Sequence, residues 1–264
     1  MANFTLSAPG GWFAPFASYP EQYRKAKEYG FSAIETLRWQ GVDFAAAQEA
    51  MDETGVALSC VLFGSQDPEV TKALGAGIVR AEAKDAFCRM MEETIDAAKK
   101  LRCNNIVVTT GNAQDDLSRE EQRSNVISAL SAAAPLLSGT GIKIVLEPLN
   151  ILVDHKGYFL TTTEETVSII DEVASPDVLM LYDIYHQQIT EGNIINNLRT
   201  HMSKIGHIHV ADVPGRKEPG TGELNYANIF KAIDDTGYTG FVALECGMST
   251  DLATVCQRML SLVP

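Results

Sequence analysis

Short apolar runs rich in β-branched residues alternate with longer helical segments along the chain, and this alternation constrains the fold most. Eight strand-then-helix units occupy 264 residues, at about 33 residues each. Strands that alternate with helices form parallel sheets, and eight such units close into a barrel. The sequence therefore predicts an α/β protein that forms a single (β/α)8 TIM barrel, with one domain over residues 1–264.

The element boundaries follow from apolar periodicity and from glycine, proline and capping residues. The predicted strands are 4–7, 31–36, 56–63, 104–109, 142–147, 178–183, 205–211 and 240–246. The predicted helices are 20–29, 44–53, 81–101, 118–137, 163–173, one from about 194, 225–235 and 250–262. Residues 64–79 form a long connection, for which a mobile surface loop and a lid over the strand ends both remain open.

The stretch 206–226, GHIHVADVPGRKEPGTGELNY, places several polar residues at the end of the seventh strand. His207 and His209 fall on one face of that strand, and the loop beyond it carries Asp212, Arg216 and Glu223. Ligands of α/β barrels bind at the carboxyl ends of the strands. The stretch is therefore predicted to contribute to a binding site.

Four polar residues close the last four strands at regular spacing. They are Glu147, Asp183, His209 and Glu245, separated by 36, 26 and 36 residues. Each gap is about one strand-and-helix unit, so all four are expected at the same rim. Three carboxylates and one imidazole suit Mn²⁺, Mg²⁺ or Co²⁺ better than a thiolate type of zinc site. The sequence predicts a divalent-metal site made of these residues.

Three other histidines are interpreted as structural or surface residues rather than as metal ligands. His207 lies two positions deeper in the seventh strand and is interpreted as a hydrogen-bonded interior residue. His155 and His201 are interpreted as surface residues. Glu35 lies near the end of the second predicted strand, and the sequence gives it no assigned role.

The net charge and the cysteine content limit which partners and which cellular compartment are expected. The formal net charge is −13, which disfavours general binding to phosphate backbones. Five scattered cysteines without a C-x-x-C pair suggest reduced thiols, and no signal peptide or 18-residue apolar span is found. We expect a cytoplasmic homo-oligomer that acts on a small-molecule substrate and has no nucleic-acid or membrane partner.

The chain resembles the hydroxypyruvate isomerase family of the xylose-isomerase-like TIM barrels. The matching segments are VLEPLN (145–150), GYFL (157–160), LYDIYHQQITEGN (181–193), IGHIHVADVPGRKEPGTGELNY (205–226) and GFVALE (240–245). GAGIVR (75–80) also resembles the lid of that family. The likeness covers nearly the whole chain and is strongest over 144–245.

The resemblance implies an isomerase that works through a metal-stabilised enediolate. It implies that Glu147, Asp183, His209 and Glu245 hold a divalent metal, that Glu147 and Glu245 also act as acid and base, and that His186 and Arg216 contact substrate oxygens. Many hydroxypyruvate isomerases carry glutamine at the position of His209, whereas related ketose 3-epimerases carry histidine. A ketose 3-epimerase therefore stays open, as do a non-catalytic sugar-binding barrel and, remotely, a DNA-repair nuclease of the endonuclease IV type.

Overall fold

The computed structural model describes residues 2–13 and 18–264, and nine parallel strands form a nearly closed barrel there. The strands are β1 (Thr5–Pro9), β2 (Ala33–Glu35), β3 (Ala57–Leu58), β4 (Val61–Leu62), β5 (Asn105–Val108), β6 (Lys143–Leu146), β7 (Val178–Asp183), β8 (Ile205–Val210) and β9 (Phe241–Leu244). Their order in the sheet is β3-β2-β1-β9-β8-β7-β6-β5-β4. Helices alternate with the strands, which confirms the predicted TIM barrel.

The third predicted strand is divided in two, and its two halves bring the ends of the sheet together. β3 pairs with β2, whereas β4 pairs with β5. Between them, the backbone N–H of Ser59 still donates to Ile34 O at 2.9 Å. The barrel therefore contains the eight predicted strand positions, with a change of partner inside the third.

The helices are α1 (Gly10–Phe13), α2 (Tyr19–Glu28), α3 (Phe44–Thr54), α4 (Pro68–Leu74), α5 (Lys84–Lys100), α6 (Arg119–Leu137), α7 (Thr163–Val173), α8 (Ile184–Thr190), α9 (Ile194–His201), α10 (Tyr226–Asp235) and α11 (Leu252–Leu262). Two 3-10 turns cover Ala81–Ala83 and Met202–Lys204. The capping box predicted at Ser118 and Glu121 is present at the start of α6. No helix among the described residues is both long enough and apolar enough to cross a membrane.

Two of the three apolar clusters among the described residues follow from the alternation of side chains along each strand. Val107, Val145 and Leu181 form a small cluster with Cys60. Their strand neighbours, such as Ile144, belong to a much larger cluster that includes helix residues. Successive strand residues point to opposite faces, so the small cluster fills the barrel interior and the large one joins strands to helices. Polar groups at the mouth lie above the small cluster.

The connection predicted over 64–79 is not a simple loop, because it contains α4. Asp67 caps this helix by accepting from Glu69 N at 2.8 Å, and Pro68 occupies its first turn. Beyond it, Gly77 (φ +101°) packs directly on Gly111 (φ +90°) at the end of β5. A Cβ on Gly111 would lie 2.1 Å from Ala76 O, so only glycine permits this backbone contact.

Candidate active site

The four polar residues predicted at the strand ends meet at the mouth of the barrel. Glu147 follows β6, Asp183 ends β7, His209 lies near the end of β8 and Glu245 follows β9. Nδ1 of His209 is 3.6 Å from Glu147 Oε1 and 3.4 Å from Glu245 Oε2. Oxygen atoms of the three carboxylates lie within 4.8 Å of one another. Residues up to 98 positions apart in the chain thus share one small site.

Burial and neighbouring charges set the protonation of the three carboxylates. Burial raises the pKa of Glu147, although His209 acts in the opposite direction. Burial, with the charge of Glu245, raises the pKa of Asp183 to about 6. Burial also acts on Glu245, but the positive charges of His209 and Arg216 outweigh it and lower the pKa of Glu245 to about 2. Such a concentration of buried acidic groups is costly unless positive charge compensates it.

Asp183 uses its two oxygens for different purposes. Oδ1 accepts hydrogen bonds from the backbone of Tyr185 at 2.7 Å and of His186 at 3.1 Å, which caps the start of α8. Oδ2 faces the site and lies 3.8 Å from Nη2 of Arg216. The helix cap therefore fixes the carboxylate plane and leaves one oxygen for a ligand.

Glu35 orients His209 from the barrel interior, a role that sequence reasoning missed. Its Oε1 lies 2.8 Å from Nε2 of His209, and its Oε2 lies 2.7 Å from Nε2 of His207 and accepts from the Ser59 hydroxyl at 2.9 Å. Nε2 of His209 faces the Glu35 carboxylate, so Nδ1 faces Glu147 and Glu245 on the other side of the ring. Carboxylates orient metal-binding histidines in this way. The interior position predicted for His207 is confirmed.

His186 and Arg216 complete the rim of the site. Nε2 of His186 lies 3.6 Å from Asp183 Oδ2, and its ring centroid lies 5.2 Å from that of His155. Nη2 of Arg216 donates to Glu245 Oε2 at 2.5 Å, and its guanidinium carbon lies 5.0 Å from the centre of the Tyr185 ring. Both side chains therefore border the same space as the carboxylates.

Other polar residues singled out in the sequence lie apart from this site. The carboxylate of Asp212 accepts from the backbone of Val213, Gly220 and Leu224, so it shapes the loop after β8. Glu223 is exposed. The interpretation of His155 as a surface residue is wrong, because His155 is half-buried and its ring is tilted by 59° against that of His186. This contact depends on the path of the loop after β6, which the sequence does not reveal.

The donor set fits a divalent cation. Both ring nitrogens of His209 are buried without a hydrogen-bond partner among the described residues, and Nδ1 faces two carboxylates. Carboxylate oxygens suit hard divalent cations and imidazole is a common ligand of transition metals, so a mixed set of this kind differs from a structural zinc site built on thiolates. No cysteine thiol belongs to the clusters of potential ligands in the described part of the chain.

A parallel barrel with acidic residues and histidine at its carboxyl-terminal mouth is the architecture of a TIM-barrel enzyme. The chain belongs to the xylose isomerase-like TIM barrel family, whose model matches residues 23–259.

Two relatives agree with this assignment, and a solved structure has the same fold. The chain is 30% identical over 229 residues to 2-oxo-tetronate isomerase of Cupriavidus necator, which covers 86% of each chain. It is 37% identical over 147 residues to hydroxypyruvate isomerase of Escherichia coli, which covers 56% of this chain and 55% of that one. The structure of an AP endonuclease, family 2, from Brucella melitensis superposes with a TM-score of 0.88 at 24% identity over both whole chains. At that identity the last likeness shows the fold alone.

Proposed function

We propose that this protein is a divalent-metal-dependent isomerase that interconverts a short 2-oxo acid or ketose with its aldehyde isomer. Hydroxypyruvate is the leading substrate. The observation that supports this most is the close approach of Glu147, Asp183 and Glu245 to one another and to His186, with Nδ1 of His209 3.6 Å from Glu147 Oε1 and 3.4 Å from Glu245 Oε2. The two named relatives are isomerases of small 2-oxo acids, which supports the same reaction class.

Glu147, Asp183, His209 and Glu245 would hold the cation, which supplies Lewis-acid polarisation of the substrate carbonyl when bound. Glu147 and Glu245 are the proposed acid/base pair. They enter from β6 and β9, which flank β7 and β8, so they face the substrate from different sides. One removes the proton from the carbon beside the carbonyl, leaving the substrate as an enediolate. The same or the opposite glutamate returns a proton to the former carbonyl carbon, while the proton of the neighbouring hydroxyl group passes to the former carbonyl oxygen.

His186 and Arg216 would bind the substrate's oxygens. The planar guanidinium of Arg216 suits the carboxylate of a 2-oxo acid, because two parallel N–H groups match its two oxygens. Its side chain is 29% exposed and already pairs with Glu245. The positive charge of Arg216 therefore makes an anionic substrate compatible with a site that otherwise carries three carboxylates.

A ketose 3-epimerase is the second candidate, and His209 is the observation that favours it. Return of the proton to the opposite face of the same carbon would need the same two glutamates. The two reactions therefore differ in substrate shape rather than in the residues described here.

Removal and restoration of the metal test the proposal. Purified protein stripped by a chelator should lose turnover, and Mn²⁺ or Mg²⁺ should restore it. A panel of hydroxypyruvate, 2-oxo-sugar acids and four- to six-carbon ketoses, read by NMR, identifies the reaction. Full turnover after verified metal removal, or no conversion of any panel member by metal-loaded protein, would refute the proposal.

Arg216 tests the substrate class in the same assay. Arg216→Lys keeps the charge but loses the planar fork, so kcat/KM for hydroxypyruvate should fall at least about tenfold, while neutral ketoses should change much less. The wild-type protein with the same metal load is the control. Equal losses on acidic and neutral substrates would contradict the carboxylate role.

A further inference from the structure

The buried side chain of Asn150, four residues after the end of β6, is held in one orientation by its own loop. Its Oδ1 accepts from the backbone of Val153 at 2.9 Å and of Asp154 at 3.2 Å. Its Nδ2 donates to Asp154 Oδ2 at 2.9 Å. The reversed amide would set its NH₂ against two N–H groups and its oxygen against a carboxylate. The loop therefore fixes which end of the amide faces inward.

The inward end of Asn150 meets His186. Nδ2 lies 2.6 Å from Nδ1 of His186, and the Asn150 backbone N–H donates to the same nitrogen at 3.3 Å. Both groups of Asn150 are donors only, so Nδ1 of His186 must accept. A neutral imidazole has one donor and one acceptor nitrogen, so its proton is on Nε2.

Nε2 of His186 faces the carboxylates of the site. It lies 3.6 Å from Asp183 Oδ2 and close to oxygens of Glu147 and Glu245. It is buried and has no hydrogen-bond partner among the described residues. A nitrogen that carries a proton has no lone pair for a cation, although it lies within reach of the same cluster. Nε2 of His186 is instead a hydrogen-bond donor that has no acceptor among the described residues.

We propose that Asn150 is a positioning residue that holds His186 in the Nε2–H tautomer, so that His186 donates a hydrogen bond to a substrate oxygen and is not a metal ligand. This inference rests on the proposed isomerase or epimerase function for its substrate, but the tautomer itself follows from the hydrogen bonds of Asn150. The oxygen that gains negative charge as the enediolate forms is the acceptor that such a donor stabilises most.

The tautomer is measured directly by ¹⁵N NMR of protein labelled at histidine, with Mg²⁺ present and no substrate. In the wild type, Nε2 of His186 should be protonated and Nδ1 unprotonated. Asn150→Asp keeps the oxygen that accepts from Val153 and Asp154 but replaces the donor with an acceptor. Its His186 should carry the proton on Nδ1 instead. An unprotonated Nε2 in the wild type would overturn the inference.

Kinetics then test the consequence for the reaction. Asn150→Asp should lower kcat at least about tenfold with a smaller change in KM, because the lost donor acts mainly on the developing charge. Its Mn²⁺ affinity should not fall, since His186 is not a ligand in the wild type. A kcat within about twofold of wild type, or a loss of Mn²⁺ affinity that accounts for the lost turnover, would overturn the positioning role.

Two variants separate the hydrogen bond from simple charge. Asp154→Asn changes the charge beside Asn150 but leaves the Nδ2 donor, so the wild-type tautomer should persist. Asn150→Asp with Asp154→Asn exchanges the two groups without a net change of charge, and it should show the altered tautomer. If His186 of the double variant carried its proton on Nε2, as in the wild type, the inference would be overturned. If the wild type shows the expected tautomer yet converts no panel substrate, the proposed function fails and the assigned tautomer stands.

Discussion

At the scale of single residues, the two glutamates are expected to divide the proton transfers. Glu147→Gln and Glu245→Gln keep the size and one oxygen donor, so both variants should still bind metal. An amide does not accept the proton, and loss of general acid–base action costs about 10²–10⁴-fold in kcat. Turnover and metal content of each variant, measured on the same sample, check this expectation.

Exchange of the substrate's carbon-bound hydrogen in D₂O assigns the two roles. The variant that lacks the abstracting base should lose exchange together with product, whereas the variant that lacks the returning acid keeps slow exchange and loses product. Near-normal turnover in both variants with metal bound would disprove the paired-glutamate mechanism.

The residues of the site differ in how far the sequence could predict them. Glu147, Asp183, His209 and Glu245 lie at or next to the ends of four parallel strands, which all end at one rim, and this explains why the sequence places them near one another. The metal site itself stays a prediction, because the three carboxylates cluster with His186 whereas His209 clusters with Glu35 and His207. Glu35 lies 172 positions from His207, and their contact exists only because β2 and β8 both border the barrel interior. The sequence pattern gives strand ends but not which interior side chains face each other across the barrel.

At the scale of elements, the contact between Gly77 and Gly111 is expected to attach the segment 75–80 to the end of β5. Gly111→Ala would place a Cβ 2.1 Å from Ala76 O at a φ of +90°. Gly41→Ala is the matched control, because Gly41 also has a positive φ, +75°, but nothing lies within 4 Å of its Cβ position. The control should cost about 1 kcal/mol, from the left-handed backbone alone.

Gly111→Ala should cost at least about 2 kcal/mol more than the control, because overpacking adds to the backbone strain. Urea unfolding measures both costs, and amide hydrogen exchange of 75–80 shows whether the segment has moved away. Equal costs with unchanged exchange would contradict a fixed contact.

Short helices were the elements that sequence analysis missed. α4 and α8 have seven residues each, too few for a helical period to stand out in the sequence. The Asp67–Pro68 pair was nevertheless a readable start signal for α4. For α8 the signal was hidden, because its capping residue, Asp183, is also the end of a strand. The sequence pattern assigns Asp183 to the strand alone, although the same residue also caps the helix.

At the scale of the whole molecule, metal binding should release protons. Burial opposes protonation of His209, but Glu35 and Glu245 raise the pKa of His209 well above its usual value. A cation at Nδ1 must therefore displace a proton near neutral pH. The Kd for Mn²⁺ should fall by up to about tenfold for each unit of pH increase as long as His209 is still protonated in the metal-free protein.

Below pH 6 the affinity should weaken further, since the pKa of Asp183 is about 6 and its protonated form is a poor ligand. Calorimetry in two buffers of different ionisation enthalpy counts the released protons directly. Asp183→Ala, which removes a ligand, should bind weakly at every pH. The same wild-type Kd at pH 6.5 and 8 would contradict this coupling.

The ion pair between Arg216 and Glu245 should make the binding of metal and the binding of an acidic substrate cooperative. The proposed cation and the guanidinium of Arg216 would compete for the carboxylate of Glu245, whose Oε2 lies 2.5 Å from Nη2. A cation that took this oxygen would release Arg216, which would then be free to bind the carboxylate of an acidic substrate. Each ligand thereby removes an obstacle to the other. Because such coupling is reciprocal, an acidic substrate must tighten metal binding by the same factor as metal tightens substrate binding, whereas a neutral ketose gains no such factor from Arg216.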